Sequence, residues 1–391
     1  MSILKNHKIA VRIAIVHDFL REYGGAERVL EAIHEMWPTA PIYTSFVDWR
    51  NLGEQGYRFK NWDIRTSWVQ RYWLIKKFIS PLRFLAPKIW ESFDLSHYDV
   101  VISSSGWFMC RGVTVKKPAV HICYIHHPPR NLYGYATGSD LQKYWIVRVY
   151  AGIVNFFLRH YDFETAQKVD YFIANSKETA RRVKKFYRRE STVIYPPITQ
   201  GPAFDARQGQ AFFLSVGRLT YSKRVDLAIE ACNRLKLPLK IVGTGKEEES
   251  LKKLASQGQA LRSKNSEKVE FLGSVTDEEL GKLYAGAKAL IFCALDEDFG
   301  MVPVEAMAHG TPVIALAQGG VVETVVDGKT GVLFDEPTVE SLVGAIKKFG
   351  RLGKLGRWGR EGENQCITQA EKFGKERFKK ELTAFVEEKA V

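Results

Sequence analysis

The chain has 391 residues, 45% hydrophobic and 26% charged, which is the balance of an ordinary soluble globular protein rather than a disordered or fibrous one. Its 57 Lys and Arg against 44 Asp and Glu give a formal net charge of +13, which favours an anionic partner: nucleic acid, a lipid phosphate surface or a phosphorylated small molecule. The five cysteines form no C-x-x-C pair, which argues against a zinc site or a disulfide framework and fits a reducing cytoplasm, and no run of 18 or more apolar residues is present to span a membrane.

A chain this long is expected to split into two domains of under about 200 residues each. The first apolar run, residues 13–16, stops at His17-Asp18; it is too short for a signal-peptide core and predicts a strand over Val11–Val16. The turn Tyr23-Gly24-Gly25-Ala26 follows, and then Ala26, Val29, Leu30, Ile33 and Trp37 recur at helical spacing. Glycines let a ligand approach the backbone, and the next helix presents free N–H groups, so a phosphate or diphosphate fits there; a tight turn that binds nothing fits equally well.

Residues 57–91 are rich in aromatic and basic side chains, among them Trp62, Trp68, Arg71, Trp73, Lys76, Lys77, Arg83 and Trp90. Such a mixture suits a membrane surface; base stacking on nucleic acid and an internal helix are the competing readings, and the membrane surface is preferred. Strands are predicted at Val100–Ser103, Val120–Tyr124, Tyr171–Ala174 and Thr192–Tyr195, with helices over 141–168 and 176–188. The loop Tyr124-Ile125-His126-His127-Pro128-Pro129-Arg130 places a histidine at a strand end facing a cleft, although a structural hydrogen bond is the commoner fate of one histidine. Neighbouring side chains on an extended segment diverge, so the two histidines do not share a metal.

Segment 196–210 reads as a linker, and the strand–helix alternation then restarts. Strands are predicted at 211–216, 239–242, 269–272, 289–293 and 312–316, and helices at 225–235, 247–256, 277–286 and 304–309. Alternation in both halves predicts an α/β protein with two facing Rossmann-like domains, 1–198 and 199–370, with a charged amphipathic helix within 371–391 packing back on the first. Ligands of such sheets bind at the carboxyl ends of the strands. Gly217-Arg218-Leu219 with Lys223 and Arg224 lies at such an end, where the cations would neutralise a departing diphosphate or simply be solvated.

EDFGMVPVE at 297–305 lies at another strand end: Glu297, a turn Phe299-Gly300-Met301, then Pro303 starting a short helix with Glu305 in its first turn. A carboxylate accepts the two hydrogen bonds of a sugar or ribose diol. Glu305 could equally compensate a helix dipole, and Asp296-Glu297-Asp298 is formally a metal-holding D-x-D, a reading ranked well below the first.

Taken in order, GGAERV at 24–29, YIHHP at 124–128, DYFIANS at 170–176, VIYPP at 193–197, VGRL with Lys223, and the Glu297…Glu305 pair resemble the family-4 retaining glycosyltransferases of GT-B fold. Within that family the chain looks most similar to bacterial mannosyltransferases of O-antigen and other polysaccharides. The resemblance implies that Gly24 and Gly25 lie against the donor diphosphate and that His126 bonds the transferred sugar. It implies that Arg218 and Lys223 hold the diphosphate and that Glu297, with Phe299, Gly300 and Met301, grips the sugar while Glu305 holds the ribose. It further implies no metal and no cofactor beyond the nucleotide-sugar donor, a lipid-linked saccharide acceptor, and a peripheral place on the inner face of the cytoplasmic membrane through Trp68, Arg71, Trp73, Lys76 and Lys77, without nucleic acid. Lys372-Phe373-Gly374 departs from the family, which frequently has tryptophan after the phenylalanine. The rival functions are a sugar-nucleotide epimerase of similar architecture and a non-enzymatic basic protein binding membrane or nucleic acid.

Overall fold

The structure, a computed structural model, describes residues 11–137, 144–198, 212–260 and 269–390. From 199 on, the segment expected to be a linker lies outside the described residues, as do residues 141–143 of the helix expected over 141–168.

Two parallel sheets organise the chain. The first has seven strands in the order β3-β2-β1-β4-β5-β6-β7. They are β1 (Ile13–His17), β2 (Ile42–Thr44), β3 (Ile64–Thr66), β4 (Val100–Ser105), β5 (Val120–Ile125), β6 (Tyr171–Ala174) and β7 (Thr192–Val193). The second has six, β10-β9-β8-β11-β12-β13. These are β8 (Phe212–Val216), β9 (Leu239–Val242), β10 (Val269–Gly273), β11 (Ala287–Phe292), β12 (Val313–Leu316) and β13 (Gly331–Phe334). In each sheet the strand order reverses beside the first strand of the domain, the switch point at which α/β sheets bind ligands. The expected α/β architecture of two Rossmann-like domains is present.

β1, β4 and β5 are buried on both faces, so they read as apolar runs, and the polar residues at their carboxyl ends, His17 and Ser103–Ser105, are buried with them. Helix Gly25–Met36 lays Val29, Leu30 and Ile33 onto β1 and β4. A fully buried ion pair, Arg111 to Asp162, ties the loop after β4 to helix Trp145–Lys168, and the hydroxyls of Tyr133 and Tyr187 complete it at 2.7 and 2.9 Å.

The chain passes between the domains twice, side by side. Ile198 donates its N–H to the Phe373 carbonyl at 2.9 Å, and the ring of Tyr195 packs against Phe299 and Phe373. Helix Arg360–Glu371 stays with the second core through Cys366 and Ala370, whereas helix Lys375–Lys389 places Phe378, Leu382 and Val386 in the core of the first sheet. Phe373, where the expected tryptophan neighbour is missing, is buried in the second core, and Gly374 pairs with Ile198 at the crossing.

Segment 57–91 does not form one patch. Trp90 is fully buried and donates its indole N–H to Phe108 O at 2.7 Å, and Trp62 stacks on His34 at 4.0 Å. Trp90 is held inside because its N–H finds the partner that water would otherwise supply, whereas Trp62 is half-buried against the first core. The surface portion is 68–84, where Trp68, Arg71, Trp73 and Lys77 are exposed and Lys76 half-exposed.

Candidate active site

The turn Gly24-Gly25 follows β1 and is fixed by a carboxylate three residues on. Glu27 Oε2 accepts the Gly24 N–H at 2.8 Å, the reciprocal half of a capping box in which the capping residue has no side chain of its own. Gly25 faces the second domain: a Cβ there would stand 2.9 Å from the Met301 sulfur. The two glycine turns therefore meet across the interdomain cleft, each at the carboxyl edge of its own sheet.

On the second domain, β8 is followed by Gly217, whose φ of +148° takes the chain sharply out of the sheet. The Gly243-Thr244-Gly245 loop after β9 supports that turn; Leu219 donates to the Thr244 carbonyl at 2.9 Å, and a Cβ on Gly243 would lie 2.0 Å from Gly217 O. Only glycine permits this approach. Sequence reasoning missed the pair, although G-T-G directly after a predicted strand is a visible signal. Arg218 extends from the turn, 67% exposed, and reaches Glu22 of the first domain at 2.6 Å. Lys223 Nζ lies 2.6 Å from Glu297 Oε2, and its charge also sits over the Phe292 ring.

Glu297 is partly buried, and desolvation by itself raises its carboxyl pKa, but Lys223, Arg130 and Arg218 outweigh it and hold the group below the usual carboxylate range. Gly319 and Gly320 back its main chain, with the Gly320 N–H bonded to Glu297 O at 2.9 Å, a second glycine support that sequence reasoning did not find.

The helix after this loop begins at Met301 with Gly300 as its cap (φ +85°), not at Pro303, and runs to Ala308. Glu305 consequently lies in the second turn, away from the free N–H groups, and does not compensate the helix dipole. It is buried, accepts the Tyr284 hydroxyl at 3.1 Å and pairs across the cleft with Arg28, whose pKa the Glu305 carboxylate raises. Phe299 turns its ring into the hinge core against Tyr195 and Phe373, so its contribution to a cleft is limited to its main chain.

The carboxylates on either side of Glu297 hold the domains together. Asp298 receives Arg130 and Arg182 of the first domain at 2.5 Å each, and Ser176 donates to its carbonyl at 2.5 Å. Asp296 accepts the Ala136 N–H at 2.8 Å. The D-x-D is thus spent on an interdomain clasp, and no group of three or more potential ligands among the described residues could hold a metal.

His126 follows β5. Its Nε2 lies 2.8 Å from Ser104 Oγ and its carbonyl accepts the Asn175 amide at 2.9 Å, beside the Ser176 that bonds Asp298. Burial first, then His17 and His127, keep its ring neutral well below the ordinary histidine pKa. His127 diverges from it, its Nδ1 3.0 Å from the Pro128 carbonyl oxygen.

The exposed aromatic and basic residues of 68–84 lie elsewhere in the first domain and have a neighbour that sequence reasoning did not include. Helix Trp145–Lys168 starts with an uncovered stripe, Trp145, Val149, Ile153, Phe156 and Phe157, two of them 67% exposed. Arg83 joins the two surfaces by bonding Asn155 and lying over the Tyr150 ring. No described helix is long and apolar enough to cross a membrane.

Residues 23–200 match the family model described as Glycosyltransferase Family 4, and residues 200–372 match that of Glycosyl transferases group 1. Glycogen synthase of Thermus caldophilus is 34% identical over 177 residues, covering 44% of this chain and 35% of that protein. The alpha-1,3/1,6-mannosyltransferase of Dictyostelium discoideum is 31% identical over 219 residues, 46% of this chain and 52% of that protein. The chain thus spans about a third to a half of the length of these curated relatives. Sucrose-phosphate synthase from Thermosynechococcus elongatus superimposes with a TM-score of 0.72 at 17% identity, over 96% of this chain and 98% of that one. Anabaena HepE, solved with UDP and glucose, gives 0.69 at 18% identity, over 96% and 99%. These structural likenesses establish the fold.

Proposed function

The chain joins a Glycosyltransferase Family 4 domain to a Glycosyl transferases group 1 domain in a GT-B fold, and from that premise we propose that it is a retaining, metal-independent hexosyltransferase that moves mannose from GDP-mannose onto a lipid-linked saccharide in bacterial polysaccharide synthesis. The observation that carries the reading is the meeting of Gly25 and Met301 across the cleft, with the Lys223–Glu297 pair beside it and Glu305 behind it.

In this reading the donor diphosphate lies between the Gly24-Gly25 turn and the Arg218 loop. As the bond from the anomeric carbon to the phosphate oxygen breaks, negative charge grows on that oxygen, and the cations of Arg218 and Lys223 with the helix N-terminus after Gly25 would stabilise it. Lys223 is held ready by Glu297, which also presents an oxygen to sugar hydroxyls. The acceptor hydroxyl attacks the same face, and its proton passes to the leaving phosphate oxygen. No dedicated base is assigned. His126 and Glu305 are read as the sugar and ribose contacts.

Mannose as the sugar draws support from the Dictyostelium relative and from the motif order; the exposed aromatic and cationic faces around Trp73 and Trp145 suit an anionic lipid surface carrying the acceptor. Sedimentation with anionic vesicles tests the second part: the double variant Trp73→Ser, Phe156→Ser is expected to stay in the supernatant, and its undiminished binding would remove the membrane reading. The donor is tested by the transfer assay that closes the Discussion.

A further inference from the structure

Three neighbouring strand ends of the first sheet carry a hydrogen-bonded chain that runs behind the donor contacts and ends on His126. His17 ends β1, Ser104 is its register partner on β4, and His126 follows β5. Ser104 Oγ stands 3.1 Å from His17 Nδ1 and 2.8 Å from His126 Nε2, and all three side chains are buried. At the far end His17 Nε2 lies 3.5 Å from Glu27 Oε1, and the other oxygen of Glu27 accepts the Gly24 N–H.

A hydroxyl has one proton, so where Ser104 donates to one ring it must accept from the other. Glu27 decides which. Its carboxylate favours a proton on His17 Nε2, leaving His17 Nδ1 as an acceptor. Ser104 must then donate to His17, and its lone pair must receive the Nε2 proton of His126. The remaining nitrogen of that ring, Nδ1, is then without a proton, and no hydrogen bond reaches it among the described residues.

We propose that Glu27, His17 and Ser104 are positioning residues that lock His126 in its Nε2–H tautomer, so that Nδ1 is presented as an acceptor for a hydroxyl of the transferred sugar. Because one carboxylate holds both His17 and the Gly24 N–H, the seat of the glycine turn and the tautomer of His126 are set together. The second half of this statement, the sugar hydroxyl, rests on the reading of His126 given under the proposed function; the tautomer does not.

The test is two-bond proton–nitrogen correlation of the histidine rings in the full-length chain labelled with nitrogen-15 histidine. The wild type is expected to show both His17 and His126 protonated on Nε2. Ser104→Ala is expected to release His126 into a mixture of tautomers and to raise the donor KM about tenfold, the effect of one misdirected hydrogen bond, while Ser104→Thr restores the pattern. A wild-type His126 protonated on Nδ1, or a Ser104→Ala spectrum unchanged at His126, overturns the proposal; the first of these is decided on the wild type alone, whatever the variants' folding. Wild-type turnover in His126→Ala, with the tautomers as expected, would instead remove the sugar contact and leave the chain of proton positions standing.

Discussion

Arg28 of the first domain pairs with Glu305 of the second, so the carboxylate expected to grip a ribose already has a cation on one oxygen and the Tyr284 hydroxyl on the other. A carboxylate offers about four lone-pair sites, which leaves room for hydroxyls beside these partners. Glu305→Ala is therefore expected to raise the donor KM about tenfold or more, with a smaller fall in kcat because the ribose is distant from the breaking bond. Steady-state kinetics over a donor series checks this; a fall confined to kcat would place Glu305 at the reacting carbon instead.

Asp298 is the clasp between domains. Arg130 and Arg182 both point at it from the first domain, and Asp298 and Arg182 are buried. Removing the carboxylate leaves two cations facing each other in a dry interface, for which the expected cost is about 3–5 kcal/mol. Asp298→Ala should show this in urea unfolding. A change under about 1 kcal/mol would mean that the clasp is solvated and open in solution.

Gly25→Ala tests the meeting of the two turns. The added Cβ would lie 2.9 Å from the Met301 sulfur, the end of a flexible side chain, so the fold should tolerate it while closure around the donor is impaired. We expect kcat/KM to fall about tenfold or more with little change in Tm, and Met301→Ala introduced with it to recover part of the loss. Equal losses in the single and double variants would contradict a steric origin.

His121 makes stability pH-dependent. Burial lowers its pKa to about 4; Asp170 opposes this and Arg111 adds to it. Between pH 6.5 and 4 the unfolded chain binds the proton that the folded one refuses, so stability declines as pH falls through that window, by roughly 3 kcal/mol from this residue. Urea unfolding across pH should show a shallower decline in His121→Gln than in the wild type; identical slopes would show that the ring protonates freely in place.

Five strands of each sheet were legible because their apolar periodicity is strong: Tyr171–Ala174 in the first, Leu239–Val242 in the second and the helices Val225–Leu235 and Asp277–Gly286 coincide with the sequence reading, whereas β13 and helix Val339–Lys354 were not read. β2 and β3 were not, being three residues each, and β3 lies inside the aromatic and basic segment 57–91 that suggested a surface. Trp90 and Trp62 misled for the same reason, since composition does not say which ring finds a buried partner. At the site, residues local to one turn could be read, but Arg28, Arg130 and Arg182 could not. Each acts on a carboxylate more than a hundred residues away, and nothing in the neighbouring sequence marks the pairing. The start of the Glu305 helix was misplaced because Pro303 also fits the third helical position, leaving the cap to Gly300.

The most direct test of the central claim is to offer the chain a panel of nucleotide hexoses with a lipid-linked saccharide, following nucleoside diphosphate release and the anomer of the product by NMR. The account predicts GDP release from GDP-mannose, dependent on acceptor, an α-linked product, and a loss of about a hundredfold or more in turnover for Arg218→Ala and for Lys223→Ala. No release from any donor, a β-linked product, or wild-type turnover in both variants would contradict it.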